Sequence, residues 1–216
     1  MPEQDRITEI ITVDAESPQG QAIDRAAGIL RGGGIIGFPT ETVYGLGVDA
    51  LNPEAVGLLY SVKERDMKTP TSILIGRKED LGIFVSGISR EAEVLIEKFW
   101  PGPLTIVFRA SARASEALTA GTGTLGIRMP GSAICLALLQ KAGIPVTAPS
   151  ANPRGNPPAV SAGGVMEYFR GRIDLVIDGG ESARKTPSTI VDSTKDVTSI
   201  IREGAVKSGD IQAALS

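Results

Sequence analysis

The sequence contains no histidine and a single cysteine, Cys135. Without histidine, Ser-His and Cys-His nucleophile pairs, histidine general bases and histidine-ligated metals are all excluded. One cysteine rules out an intrachain disulfide and a cysteine-clustered zinc site, and its place in the apolar stretch Ile134–Leu139 reads as a core thiol. Aromatic residues make up only 4% of the chain, so platforms for stacking bases are thin. Nor is positive charge in surplus. The 22 Lys and Arg against 25 Asp and Glu give a net charge of −3, which argues against the broad basic face of a non-specific nucleic-acid binder. A small basic pocket on an acidic protein stays open. No apolar run reaches bilayer length, and the stretch 1–16 is broken by Asp5, Arg6, Glu9 and Asp14, unlike a signal peptide. The expectation is a cytoplasmic protein with no membrane partner.

What is present reads as an ordinary globular chain, 42% hydrophobic and 22% charged, whose 216 residues suit one α/β domain covering 1–216. Runs rich in Ile and Val predict strands at 10–13, 35–38, 72–75, 104–108, 124–127, 145–148, 175–177, 188–191 and 198–202. Ser17-Pro18 reads as an N-cap with proline at the first helical position, opening a helix to about Arg31. Its apolar residues Ile23, Ala26, Ala27 and Leu30 fall at helical spacing, and Gly32-Gly33-Gly34 stops it. Further helices are predicted near 54–65, 90–99, 132–141 and 163–169. The late strands follow one another without helices between them, so we expect a twisted mixed sheet flanked by helices rather than a purely parallel one. The Gly/Pro-rich segment 149–158 reads as a shaped loop, not a linker.

Four segments at the ends of strands and helices carry the chemistry. Pro39–Leu46 leaves an apolar strand and enters a loop of hydroxyls, one carboxylate and glycine, a place to hold a small polar ligand or simply a turn with Tyr44 packed inward. Lys63-Glu64-Arg65-Asp66-Met67-Lys68-Thr69 brings three cations together, suited to a polyphosphate or to the helix dipole. Arg128 ends an apolar strand, where its planar fork needs a carboxylate, a phosphate or a structural partner. Ser150 and Asn152 stand on a proline-flanked turn that an Asx or Ser turn explains almost as well. No Walker A loop is present, and the glycine triplet precedes a strand where a dinucleotide fingerprint would follow one.

Together and in order, these segments resemble the YrdC-like threonylcarbamoyladenylate synthases. That family is marked by a Pro-Thr-Glu-Thr-Val-Tyr-Gly-Leu loop, a Lys-x-Arg pair, an Arg-Met/Val-Pro strand end, a Ser-x-Asn turn, and a late Ser-Thr-Ile/Val-Val-Asp strand followed by Arg-x-Gly. Here they stand as Pro39–Leu46, Lys63 and Arg65, Arg128–Pro130, Ser150 and Asn152, Ser188–Asp192 and Arg202–Gly204, within a resemblance spanning about 22–206. The resemblance implies a concave basic pocket and synthesis of L-threonylcarbamoyl-AMP and pyrophosphate from L-threonine, bicarbonate and ATP. Threonine's amine and bicarbonate give N-carboxythreonine, whose carboxylate attacks the α-phosphate. No protein nucleophile is needed, in keeping with the missing histidine.

By the same resemblance, Thr42, Leu74, Arg128, Ala148 and Ser188 contact threonine. Lys63, Arg65, Thr69, Thr124, Ser150, Asn152 and Arg202 contact ATP, with Lys63 and Arg65 as catalytic, solvent-facing charges. Mg²⁺ is expected to ride on the phosphates. The product would pass to a separate transferase that modifies a tRNA adenosine beside the anticodon. Alternatives are a non-catalytic module for double-stranded RNA or tRNA, a paralogue with a changed carbamoyl substrate, and weak RNA binding alongside synthesis. Thr69, Arg154 and Pro158 depart from the family's common Asn, Ser and Ser. The chain's length resembles that of the single-domain form.

Overall fold

The computed structural model describes residues 7–195 and 197–216. Asp5 and Arg6, two of the charges that interrupt the N-terminal stretch, lie outside the described residues. The strands are β1 (Glu9–Thr12), β2 (Ile36–Phe38), β3 (Gly45–Gly47), β4 (Ile73–Leu74), β5 (Leu104–Arg109), β6 (Thr124–Arg128), β7 (Val146–Thr147), β8 (Leu175–Asp178), β9 (Thr189–Asp192) and β10 (Ser199–Arg202). The helices are α1 (Gly20–Arg31), α2 (Pro53–Val62), α3 (Leu81–Phe84), α4 (Arg90–Phe99), α5 (Glu116–Thr119), α6 (Ala133–Ala142), α7 (Ala162–Phe169) and α8 (Ser208–Leu215).

The strands form a four-stranded sheet ordered β1-β8-β2-β3 and a six-stranded sheet ordered β10-β9-β5-β6-β4-β7, both mixed. The expected mixed α/β architecture is present, and the two sheets meet edge to edge. Residues 44–50 run antiparallel to residues 145–151 in one constant register. Ala151 N–H donates to Tyr44 O (2.8 Å), Leu46 N–H to Pro149 O (2.9 Å), Thr147 N–H to Val48 O (3.1 Å) and Ala50 N–H to Pro145 O (3.0 Å). Each of these rungs carries a single bond for a local reason. Pro145 and Pro149 have no N–H, Val48 N–H turns to Thr147 Oγ1, and Tyr44 N–H turns to Ala159 O.

Alternation along the strands sorts side chains between two apolar clusters. Leu175 and Ile177 of β8, with Ile36 and Phe38 of β2, face α1 and α6. There the predicted stripe Ile23, Ala26, Ala27 and Leu30 is buried. Full burial of an Ile or Leu in such a stripe contributes about 1.5–3 kcal/mol. On the other face, Leu104, Ile106 and Phe108 of β5 and Leu125 and Ile127 of β6 pack with residues of α2, α4 and α7. The opposite side of β5 and β6 carries Thr105, Val107, Thr124, Gly126 and Arg128, and it is this face that opens into a cavity.

Several local expectations are corrected. α1 begins at Gly20 rather than at Ser17-Pro18, because Asp14 Oδ1 accepts from Glu16 N–H and Ser17 N–H and closes an Asx turn there. α2 ends at Val62 rather than near Arg65. Glu64 takes φ 53°, and Arg65 N–H bonds back to Tyr60 O while Glu64 N–H bonds to Ser61 O, the paired bonds of a Schellman turn. Glycine normally fills that position, and glutamate there costs about 1–2 kcal/mol. β3, α3, α5 and α8 were not foreseen. α8 does carry Ile211, Ala214 and Leu215 at helical spacing and packs on α4.

Candidate functional site

The uncovered face of β5, β6 and β9 floors a cavity of about 380 Å³. Gly126 keeps that floor low: a Cβ there would come within 3.3 Å of Ser72 Cβ and 3.4 Å of Thr105 Cγ2. One wall is the Pro39–Leu46 loop, contributing Thr40, Thr42 and Tyr44, and another is the stretch Ala148–Ser150 after β7. Arg65, Arg128 and Arg202 all line the cavity, and among the described residues no Asp or Glu does. An acidic chain thus gathers three permanent positive charges on one concave, hydroxyl-rich surface. That combination suits a phosphorylated or carboxylated ligand.

Arg128 is held from three sides. Its Nε donates to Gly102 O (3.0 Å), its Nη1 to Thr42 Oγ1 (3.0 Å), and its Nη2 lies 2.7 Å from Glu41 Oε1. Thr42 and Thr40 share a 2.8 Å hydroxyl contact, and Thr40 donates onward to Val43 O at 2.7 Å. Because the Thr40 proton is spent on Val43, Thr42 must donate to Thr40, which leaves Thr42 Oγ1 facing Arg128 as an acceptor. The loop's hydroxyls therefore form an ordered relay that ends on the guanidinium. Tyr44 donates to Gly180 O (2.7 Å) and accepts from Gly179 N–H, and burial pushes its pKa up to about 12, so it is a neutral strut.

Across the cavity, Thr105 and Ser188 pair their hydroxyls at 2.9 Å, and Arg202 Nη2 donates to Ser188 O at 2.8 Å. Burial and the nearby Arg128 both lower the Arg202 pKa, as expected where buried cations crowd together. Arg65 donates to Pro70 O (2.7 Å) and lies over the Tyr60 ring. Its Nε is buried without a partner, and burial lowers its pKa.

The structure brings Thr42, Arg128, Ala148 and Ser188 to this cavity, together with Arg65, Thr124, Ser150 and Arg202. Four other residues named from the sequence are not on its lining. Leu74 packs into the cluster beneath α6 with Ile134 and Leu138, and it is Pro70, Thr71 and Ser72, just ahead of β4, that reach the cavity. Thr69 is exposed, with its carbonyl taken by Tyr60 Oη–H (2.6 Å). Asn152 turns its amide onto Pro153 O and Asn156 O. Lys63, expected to face solvent, is 5% exposed, and its Nζ donates to Ser150 O (2.5 Å) and Asn152 O (2.6 Å). It follows Val56 and Leu59 at helical spacing on the buried face of α2.

Sequence reasoning passed over Thr40, Thr71, Ser72 and Thr105 as cavity residues, and Glu41 as the partner of Arg128. A signal existed for Thr105, a hydroxyl alternating with Leu104, Ile106 and Phe108 in a strand otherwise apolar up to its terminal Arg109. Cys135 is fully buried and burial drives its thiol pKa up, so it is the inert core thiol the sequence implied. Among the described residues no group of three or more Cys, Asp or Glu converges as for a metal ion, and no helix is long and apolar enough to cross a membrane.

Residues 28–204 match the Sua5/YciO/YrdC family model, which is described as telomere recombination. A threonylcarbamoyl-AMP synthase from Pyrococcus abyssi is 40% identical over 190 residues, covering 88% of this chain and 56% of that one. A putative threonylcarbamoyl-AMP synthase from Mycobacterium leprae is 33% identical and covers 97% of this chain and 95% of its own. Among solved structures, P. abyssi Sua5 complexed with L-threonine superposes with a TM-score of 0.94 at 39% identity, over 96% of this chain and 61% of that one. The chain thus spans little more than half the length of the Pyrococcus relative.

Proposed function

Since this chain belongs to the Sua5/YciO/YrdC family, we propose that it makes L-threonylcarbamoyl-AMP and pyrophosphate from L-threonine, bicarbonate and ATP. The observation that carries this reading is the cavity itself: three arginines and a row of hydroxyls on one concave face. In this reading Arg128, braced by Glu41 and Thr42, receives the amino-acid carboxylate, with Ala148 and Ser188 beside it. Arg65, Thr124, Ser150 and Arg202 receive the nucleotide. The amine adds to bicarbonate with loss of water, and the new carboxylate oxygen bonds to the α-phosphorus as the bond to pyrophosphate breaks. The protein's share is alignment and neutralisation of phosphate charge by guanidinium groups, with no side-chain general base required. With no carboxylate on the lining among the described residues, magnesium fits as the counter-ion that ATP brings with it. We place the product upstream of a separate cytoplasmic transferase acting on tRNA.

Pyrophosphate release from Mg-ATP and bicarbonate, compared for L-threonine, serine, valine and no amino acid, tests the proposal. Threonine-dependent release with the carbamoyl adenylate seen by mass spectrometry is expected. Nucleotide binding with no release for any amino acid would overturn it.

A further inference from the structure

Lys63 and Arg65 flank Glu64, whose left-handed backbone turns the chain sharply at the end of α2. The two cations therefore go to different places. Arg65 reaches the cavity wall, while the Lys63 ammonium enters the interior. An ammonium removed from water needs acceptors, and Lys63 finds two backbone carbonyls, Ser150 O and Asn152 O, at 2.5 and 2.6 Å. Those carbonyls belong to the tight turn after β7, where Asn152 N–H also folds back onto Ser150 O (2.9 Å). Ala151 between them is fully buried, its N–H bonded to Tyr44 O (2.8 Å). Ser150, in the same turn, lines the cavity and Lys63 does not.

We propose that Lys63 is a positioning residue: its buried ammonium clamps the carbonyls of Ser150 and Asn152 and so holds Ser150 on the nucleotide wall of the cavity, leaving Arg65 to meet the phosphates. The clamp rests on the reading of this cavity as a nucleotide site. It differs from a direct phosphate contact by Lys63 in that two of the ammonium's three donors are committed to backbone carbonyls. Charge is used here as at a helix C-terminus, where a cation gathers carbonyl dipoles that point the same way.

The test is a double-mutant cycle on Mg-ATP binding without amino acid, using wild type, Lys63→Met, Ser150→Ala and the double variant. Amide hydrogen exchange at Ala151 and Asn152 in the nucleotide-free proteins accompanies it. A clamp predicts that each single change weakens ATP binding about 10-fold and that the double variant is no weaker than Lys63→Met alone. Exchange at the two amides should speed up in Lys63→Met, and Lys63→Gln, neutral but still a donor, should recover part of both properties. Losses that multiply in the double variant, with unchanged exchange, would place Lys63 on the phosphates and overturn the proposal. If Lys63→Met does not fold, Lys63→Gln enters the same cycle. The exchange readout requires no nucleotide, so it decides the clamp even where pyrophosphate assays overturn the synthase reading.

Discussion

The carboxylate of Glu41 lies 2.7 Å from the guanidinium of Arg128, and the two side chains are only 15% and 7% exposed. The pair joins the loop after β2 to the last residue of β6 and sets the direction of the one arginine that anchors the cavity floor.

Glu41→Gln leaves Arg128 buried beside a neutral amide. Removing one partner of a buried pair costs about 3 kcal/mol, against little for an exposed one. Urea unfolding should show a lower midpoint with an unchanged slope, and the KM for L-threonine should rise more than kcat falls. A stability change below about 0.5 kcal/mol would show that the ion pair does not hold the floor.

Arg65→Ala removes one bond to Pro70 O and the contact with Tyr60. Both are at the cavity edge, so the folded state should lose only about 1 kcal/mol. Mg-ATP affinity should fall about 10-fold or more, because a guanidinium on phosphate is a charge-assisted contact. Unaltered nucleotide binding would remove Arg65 from the site.

Burial and the charge of Arg65 bring the Lys63 pKa down from 10.5 to about 8. Between those values the unfolded chain binds more protons than the folded one, so stability attributable to Lys63 rises with pH there and is flat below 8. Denaturant unfolding of wild type and Lys63→Met at several pH values reads this as a difference. Wild type should gain on the variant from pH 8 upward, and a loss over that window would contradict the assigned sign.

Gly204 packs against the start of β9 so closely that an added Cβ would meet Pro187 O and come within 2.7 Å of Ser188 C and O. Backbone cannot yield as a side chain can. Gly204→Ala should cost about 1–3 kcal/mol and, by moving Ser188 and the carbonyl that Arg202 holds, reduce threonine-dependent turnover further than its stability loss explains. Activity that simply tracks the folded fraction would refute the second half of this expectation.

Much of the scaffold was legible because it is written in period and punctuation. The stripe Ile23, Ala26, Ala27, Leu30 named the buried face of α1, the glycine run from Gly32 ended it, and the strands from β4 to β10 lay within a residue or two of their predicted positions. β3 escaped because Gly45-Leu46-Gly47 has almost no side chains from which to read alternation. The early stop of α2 escaped because Glu64 occupies a backbone conformation that the sequence assigns to glycine.

The site divides along the same line. Local chemistry alone determined that histidine catalysis and a cysteine-clustered zinc site were closed to this chain, that hydroxyls and cations cluster after its strands, and, through motif order, which family it resembles. Whether a given cation faces a ligand or the interior depends on contacts between segments far apart in the chain. Lys63 was indistinguishable from Arg65 until the carbonyls of Ser150 and Asn152 came within hydrogen-bond distance. Likewise the single carboxylate of the Pro39–Leu46 loop acquired its task only when β6 delivered Arg128 to it. Burial and pairing are properties of the packed chain, so the tertiary structure alone decided which charges remain free to bind and which are used to hold the others in place.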